Sequence, residues 1–189
     1  MVIRKATPND RPGIANLLMF IFRDMELAML QKVSEKVLVD MLVQAMAEPT
    51  YRYNESRGLV EEINGQVAGI AFGYPSEQEA IIDQAWLPVA QKHLTGDVRL
   101  FTDPEGFPNE WYIDSVCVHP DFRGHGIGTS LLQAVRKTAK QAGKDDKMGL
   151  CCDFANVQAK KLYERLGFAV VGEQVLSNHP YYHMQKPIE

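Results

Sequence analysis

Asp114-Ser115-Val116-Cys117-Val118-His119-Pro120-Asp121-Phe122-Arg123-Gly124-His125-Gly126-Ile127-Gly128-Thr129 is the stretch that decides the fold. A β-rich run ends in a His-Pro turn, passes through a glycine-rich bend and opens a helix. The free amides at a helix start attract anions, and glycines let a phosphate approach the backbone. The pattern is not Walker A, because Gly128 is followed by Thr129 with no lysine. It is not a Rossmann GxGxxG either: counted from Gly124 or Gly126, the last glycine would be Thr129 or Leu131. A glycine-bearing turn that binds nothing is the plain alternative, and Arg123 before the glycines favours an anion.

Outward from this bend, the chain alternates strands and helices. Val2–Ala6 reads as a short strand, and Thr7-Pro8-Asn9-Asp10 as a capped helix start. Apolar residues at helical spacing predict a helix from Pro12 to about Leu30, and Ser34 caps a second one. Asn64-Gly65 between two apolar runs predicts a hairpin. Ser76 to about Thr95 reads as helical, interrupted near Leu87-Pro88, and Gly96 to Asn109 as a loop. Trp111–Val118 is a strand, Gly128–Ala142 an amphipathic helix ended by Gly143, and Met148–Cys152 a buried strand. A helix over Val157–Leu166 stops at Gly167, and strands at Phe168–Leu176 and Tyr181–Gln185 close the chain.

The sequence has 189 residues, a net charge of -4 and 46% hydrophobic content. That suits one domain able to bury about 70% of its unfolded surface. Twenty basic against 24 acidic residues leave no excess to neutralise a nucleic-acid backbone. Cys117 and the adjacent Cys151 and Cys152 make no disulfide framework, so a reducing, cytoplasmic setting is expected. The longest apolar run, Leu17–Phe22, falls far short of the ~20 residues that span a bilayer, and no secretory leader is read at the N-terminus. His179 and His183 lie four apart in a strand-like segment, so helical metal-ligand spacing does not apply and no metal site is expected. No GxSxG occurs.

Arg123, Gly126 and Gly128 fit the pattern Arg/Gln-x-x-Gly-x-Gly/Ala, and Asn156, Ala159, Tyr163, Gly167 and Phe168 fit Asn-x-x-Ala-x-x-x-Tyr-x-x-x-Gly-Phe. On these two motifs, in order and correctly spaced, the sequence resembles the GNAT superfamily of acetyl-CoA-dependent N-acetyltransferases. The resemblance implies a single α/β domain (mixed α+β) over residues 1–189, with a central, mostly antiparallel sheet flanked by helices. It runs along most of the chain; the segment at about 76–110 is longer than the family's usual join.

By the resemblance, the amides of Arg123, Gly124, His125, Gly126, Ile127, Gly128 and Thr129 bind the CoA pyrophosphate. Val116, Cys117 and Val118 run beside the pantetheine, and the Val118 amide donates to the thioester carbonyl. Asn156 bonds the cofactor or caps its helix. Tyr163 is the candidate acid for the leaving thiolate, against the plain role of packing on the sheet. The acceptor must attack as a neutral amine, and at pH 7 only about one lysine-like amine in 10³ is neutral. A base would help. Strict alternation puts Tyr112, Asp114, Val116 and Val118 on one face, which makes Asp114 the first candidate base and Glu110, at the mouth of the strand, the second. An acid paired with a cation, or waters in place of a fixed base, are the alternatives. His125 reads as a solvent-facing loop residue and Cys117 as a buried one.

The expected activity is acetyl transfer to a primary amine of a small molecule or peptide by direct attack in a ternary complex. A longer acyl-CoA, or a CoA-binding module without catalysis, are the alternatives. No nucleic-acid or membrane partner is expected. The methionine-rich first 46 residues would supply core packing or a pliable acceptor wall. The 76–110 segment, with Trp86, Phe101 and Phe107, would lid the site or form a homodimer contact.

Overall fold

The computed structural model describes residues 2–188. The elements in chain order are β1 (Val2–Lys5), α1 (Arg11–Asp24), α2 (Glu35–Ala45), β2 (Gly58–Ile63), β3 (Gln66–Pro75), α3 (Glu79–Ile82), α4 (Leu87–Ala90), β4 (Trp111–Val118), α5 (Ile127–Ala142), β5 (Lys147–Asp153), α6 (Val157–Arg165), β6 (Ala169–Leu176) and β7 (His179–Pro187).

Local chemistry sets most boundaries. Asp10 accepts from the Thr7 amide and hydroxyl at 2.7 and 2.8 Å, closing a 3-10 turn that leads into α1. Arg4 adds two further bonds to the same carboxylate and holds it down to about 2, well below the usual range. The Ser34 hydroxyl caps α2 through the Val37 amide. Asn64 and Gly65 turn β2 into β3 with φ of 52° and 77°, the left-handed pair that a two-residue hairpin needs.

One seven-stranded sheet has the order β1-β2-β3-β4-β5-β7-β6. Only β4 and β5 pair in parallel; every other pair is antiparallel. One face carries α1, α2 and α4, with Phe22, Leu38, Met41, Phe72 and Trp86 at the centre of its core. The other carries α5 and α6, around Ile113, Leu131, Val135, Leu150 and Met184. Met19, Met29, Met41 and Met46 are all buried in the first core, the packing role expected of them.

The 76–110 segment differs from its sequence reading. It holds a 3-10 turn at Ser76–Gln78 and two short helices, α3 and α4, and the break between the two helices covers 83–86. Leu87-Pro88 starts α4 instead of interrupting a helix, because proline fits the first turn, where no amide partner exists. Trp86 is fully buried and its indole donates to the Val98 carbonyl at 2.6 Å, so the segment is part of the core.

Candidate active site

The parallel ladder of β4 and β5 ends early. Its last pair is Ile113 with Leu150, and from there the two strands separate. The amide of His119 bonds the Ala68 carbonyl of β3, so by alternation the Val118 and Val116 backbone groups face the open side of β4. The Val118 carbonyl on that side accepts from Arg123 Nε at 3.1 Å.

At the end of β4 the chain makes a 3-10 turn, Pro120–Phe122, and then the glycine bend. Gly124 and Gly126 have φ of 81° and 80°, and a Cβ added to either would meet nothing within 4 Å. Alternating left-handed residues form a concave nest of amides. The first helical bond of α5 is Ser130 amide to Gly126 carbonyl, which leaves the Ile127, Gly128 and Thr129 amides without helical acceptors. Gly126, at the N-cap, has no side chain to satisfy them. His125 is exposed and bonds the Phe122 carbonyl through its ring. An anionic group with a pyrophosphate's shape fits this cradle.

The faces of β4 correct the alternation argument. Phe72 pairs with Ser115 and Gly73 with Ile113, so Asp114 is an extra residue, a bulge. The bulge shifts the phase of the strand. Trp111 and Ile113 face α5, and so do Val116 and Val118 beyond the bulge. Tyr112, Asp114, Ser115 and Cys117 belong to the opposite face. Asp114 therefore does not share a face with Val116 and Val118.

Asp114 instead meets a buried guanidinium. Arg52 Nη1 donates to it at 2.7 Å, Tyr74 Oη at 3.0 Å and Ser115 Oγ at 2.8 Å. Arg52 also holds Asp83 through two bonds, at 2.8 and 2.7 Å, and reaches Glu105 at 3.2 Å. Its guanidinium lies 4.1 Å from the Phe101 ring centroid. Three carboxylates around one cation would leave net negative charge inside the protein. Glu105 relieves it: burial pushes its carboxyl up to about 7, against the pull of Arg52, with Asp114 and Glu79 adding to the rise. Tyr112 Oη donates to its other oxygen at 2.9 Å. The Glu79 carboxylate fixes this loop by accepting from the Glu105 and Gly106 amides.

Glu110 lies on the paired side of the fork, away from its opening. It is fully buried and accepts from Gln185 Nε2 and the Phe107 amide, both at 2.7 Å, with His183 beside it. Gly149 leaves the room: a Cβ there would stand 1.9 Å from the Glu110 carboxylate.

Across the fork, Asn156 Oδ1 caps α6 by accepting from the Ala159 amide at 3.0 Å. Tyr163, about two turns beyond Asn156, packs edge-to-face on Phe168, and burial, with Cys152 and Cys151 nearby, pushes its hydroxyl up. Lys160 pairs with Glu164. Cys117 faces the α1 core, where burial raises its thiol to about 11.

The fold thus sets the nest at the end of β4, past its last pair with β5, and packs Tyr163 of α6 on the same side of the sheet as Val116 and Val118, while Asp114 lies on the opposite side. Glu110 stands apart. Sequence reasoning missed Arg52 and Glu105 and weighed His183 only as a metal ligand; for Arg52 the only signal was an arginine flanked by aromatic residues, Tyr51 and Tyr53.

A nest of free amides beside an unpaired strand edge is chemically suited to a phosphate-bearing ligand with a thin arm. This chain belongs to the GNAT acetyltransferase family, whose model, Acetyltransferase (GNAT) family, matches residues 27–168. A crystal structure of an acetyltransferase is 49% identical, with TM-score 0.89 and full coverage of both chains. An N-acetyltransferase from Staphylococcus aureus Mu50 is 29% identical, with TM-score 0.88, covering 98% of this chain and 100% of that one. At 20% identity and TM-score 0.60, yncA, a putative acetyltransferase from Salmonella typhimurium solved with its cofactor acetyl-CoA, shares the fold over 100% of this chain and 94% of its own. No curated protein matches. Among the described residues no helix is long and apolar enough to cross a membrane, and no cluster of His, Cys, Asp and Glu could hold a metal.

Proposed function

We propose that this protein transfers an acetyl group from acetyl-CoA to a primary amine of a small molecule or peptide, by direct attack in a ternary complex. The observation that carries the reading is the continuity of the Gly124–Gly126 nest with the open edge of β4. Acetyl-CoA supplies the acetyl group as an activated thioester. The amides from Arg123 to Thr129 would hold its pyrophosphate, and Val116 and Val118 would line its arm, with Val118 offering its amide to the thioester carbonyl; Cys117, whose side chain faces the α1 core, drops out of that lining. Asn156 would keep the start of α6, and with it Tyr163, in place.

Tyr163 is proposed as the acid. Its hydroxyl carries a proton at neutral pH and can donate to a thiolate formed beside it, although the rise that burial imposes makes it hold that proton more tightly. For the base we propose the Asp114–Glu105 pair around Arg52. Arg52 and Tyr74 orient Asp114, and Glu105, poised at about 7, can take a proton. The uncompensated negative charge there would also attract an acceptor arriving as an ammonium ion. Glu110 enters as a positioning residue, through its bonds to Gln185 and the 107 backbone.

Thiol release from acetyl-CoA across a panel of amines, beside calorimetric titration with CoA, tests the reading. Turnover with at least one amine is expected. Tight CoA binding without turnover on any amine would favour a CoA-binding module, and no CoA binding would remove the site assignment.

A further inference from the structure

A thiol, an imidazole and a carboxylate stand in line beneath the fork; the first two have no role so far, and the third, Glu110, only that of a positioning residue. Cys151 Sγ is 3.5 Å from His183 Nδ1, and His183 Nε2 is 3.0 Å from Glu110 Oε1 and 3.1 Å from Oε2. The β5–β7 register sets Cys151 directly opposite His183. This is the order of nucleophile, base and orienting group found in covalent catalysis.

Each part is held from elsewhere. Phe107 stacks flat on the imidazole, with centroids 3.6 Å apart and planes 1° apart. His183 and Glu110 are both fully buried, and Glu110 is fixed by Gln185 and the Phe107 amide. With Nε2–H donating to Glu110, Nδ1 is left as the acceptor facing the sulfur. Gln174 Nε2 donates to the sulfur at 2.8 Å, a contact that favours developing negative charge. Cys151 is the first β5 residue past the last pair with β4, and it is partly exposed where Cys117 and Cys152 are buried.

We propose that Cys151 is a second acyl acceptor, which takes the acetyl group onto its sulfur when no amine occupies the site, with His183 as base and Glu110 orienting it. The proposal rests on the acetyl-CoA site described above. His183 Nδ1 takes the thiol proton, and Cys151 Sγ forms a bond to the acetyl carbonyl carbon. The bond from that carbon to the CoA sulfur then breaks. Tyr163 protonates the leaving thiolate and regains its proton from His183 through solvent. One thioester replaces another, so no oxidant or further reactant is needed, and free CoA reverses the step. Burial pushes the Cys151 thiol up to about 12, so it rests as a thiol and depends on His183 to become a nucleophile.

The test is intact-mass spectrometry of the wild-type protein after incubation with acetyl-CoA and no amine. Stabilisation against heat by CoA is measured on the same preparation. The expected result is one acetyl group per chain, removed by neutral hydroxylamine or excess CoA and mapped by peptide analysis to Cys151. Cys151→Ala should abolish the adduct. His183→Gln should slow its formation by roughly 10²-fold. Without acetyl-CoA, the same substitution should slow iodoacetamide alkylation of Cys151. No adduct in a protein that CoA stabilises overturns this proposal and leaves the cofactor site standing. No adduct and no stabilisation removes both. An adduct on Cys117 or Cys152 overturns the assignment to Cys151.

Discussion

In the proposed mechanism Tyr163 and Glu105 carry opposite halves of the proton traffic, and burial raises both. For the tyrosine, the rise makes the proton harder to give, a cost that the developing thiolate charge beside it must offset. For the glutamate, it brings a carboxyl that would be fully ionised in water to the edge of ionisation near neutral pH. Tyr163→Phe should lower kcat by roughly 10²-fold or more while CoA affinity moves little; an unchanged kcat would remove the acid role. In the wild type, kcat/KM should rise with pH through about 7, as Glu105 gives up its proton. Glu105→Gln should flatten that limb. The stability effect runs the other way: protonated Glu105 suits its buried site, so its contribution is whole at low pH and is lost as pH rises through about 7. Of these two residues only Tyr163 was legible in the sequence, because it sits in a motif. Glu105 lies in a stretch rich in Gly, Asp and Pro that reads as surface loop, and its burial depends on Arg52, 53 positions away in the chain.

At the scale of elements, the glycine bend and the first turn make separate demands. Gly126→Glu would put a carboxylate into the nest and a side chain at φ 80°. CoA affinity should fall at least about tenfold, with a stability loss of about 1–2 kcal/mol from the left-handed backbone. Calorimetric titration and urea unfolding separate the two effects. Asp10 joins β1 to α1 through Arg4 and Thr7, so Asp10→Asn should cost about 1 kcal/mol at neutral pH. Since the folded carboxyl lies near 2, below the ordinary value, this contribution is present above pH about 4 and fades as pH falls toward 2. Urea unfolding of both proteins at neutral and low pH should show the gap closing. Hairpin, caps and helix stops were readable because local chemistry fixes them. The bulge at Asp114 was not: a period-two argument assumes an unbroken ladder, and an extra residue reveals itself only through the pairing of β3 with β4.

Across the whole molecule, the 76–110 segment marks the limit of the sequence reading. Composition pointed to a lid or a dimer contact. Trp86, Val98 and Leu100 are instead built into the core on the α1 side, and Asp83 and Glu105 complete the Arg52 cluster. Excising the segment would unfold the protein and say little about the acceptor. Trp86→Ala is the cleaner probe: it should cost about 3–5 kcal/mol, measured by thermal or urea unfolding. The architecture itself followed from two motifs and the order of elements, because the sheet needs each strand only as an apolar run of the right length. The long-range polar contacts had no such local signature.

The bulge at Asp114 also gives β4 a division of labour. Beyond it, the strand would grip the thioester arm with main-chain atoms that every residue possesses. At and before it, the strand presents the tyrosine and carboxylate side chains that surround Arg52. Substitutions beyond the bulge would leave the grip's main-chain chemistry intact, while those at and before it would change what the acceptor meets. On the proposed mechanism, one inserted residue would let a single strand keep a fixed donor and still explore new recipients.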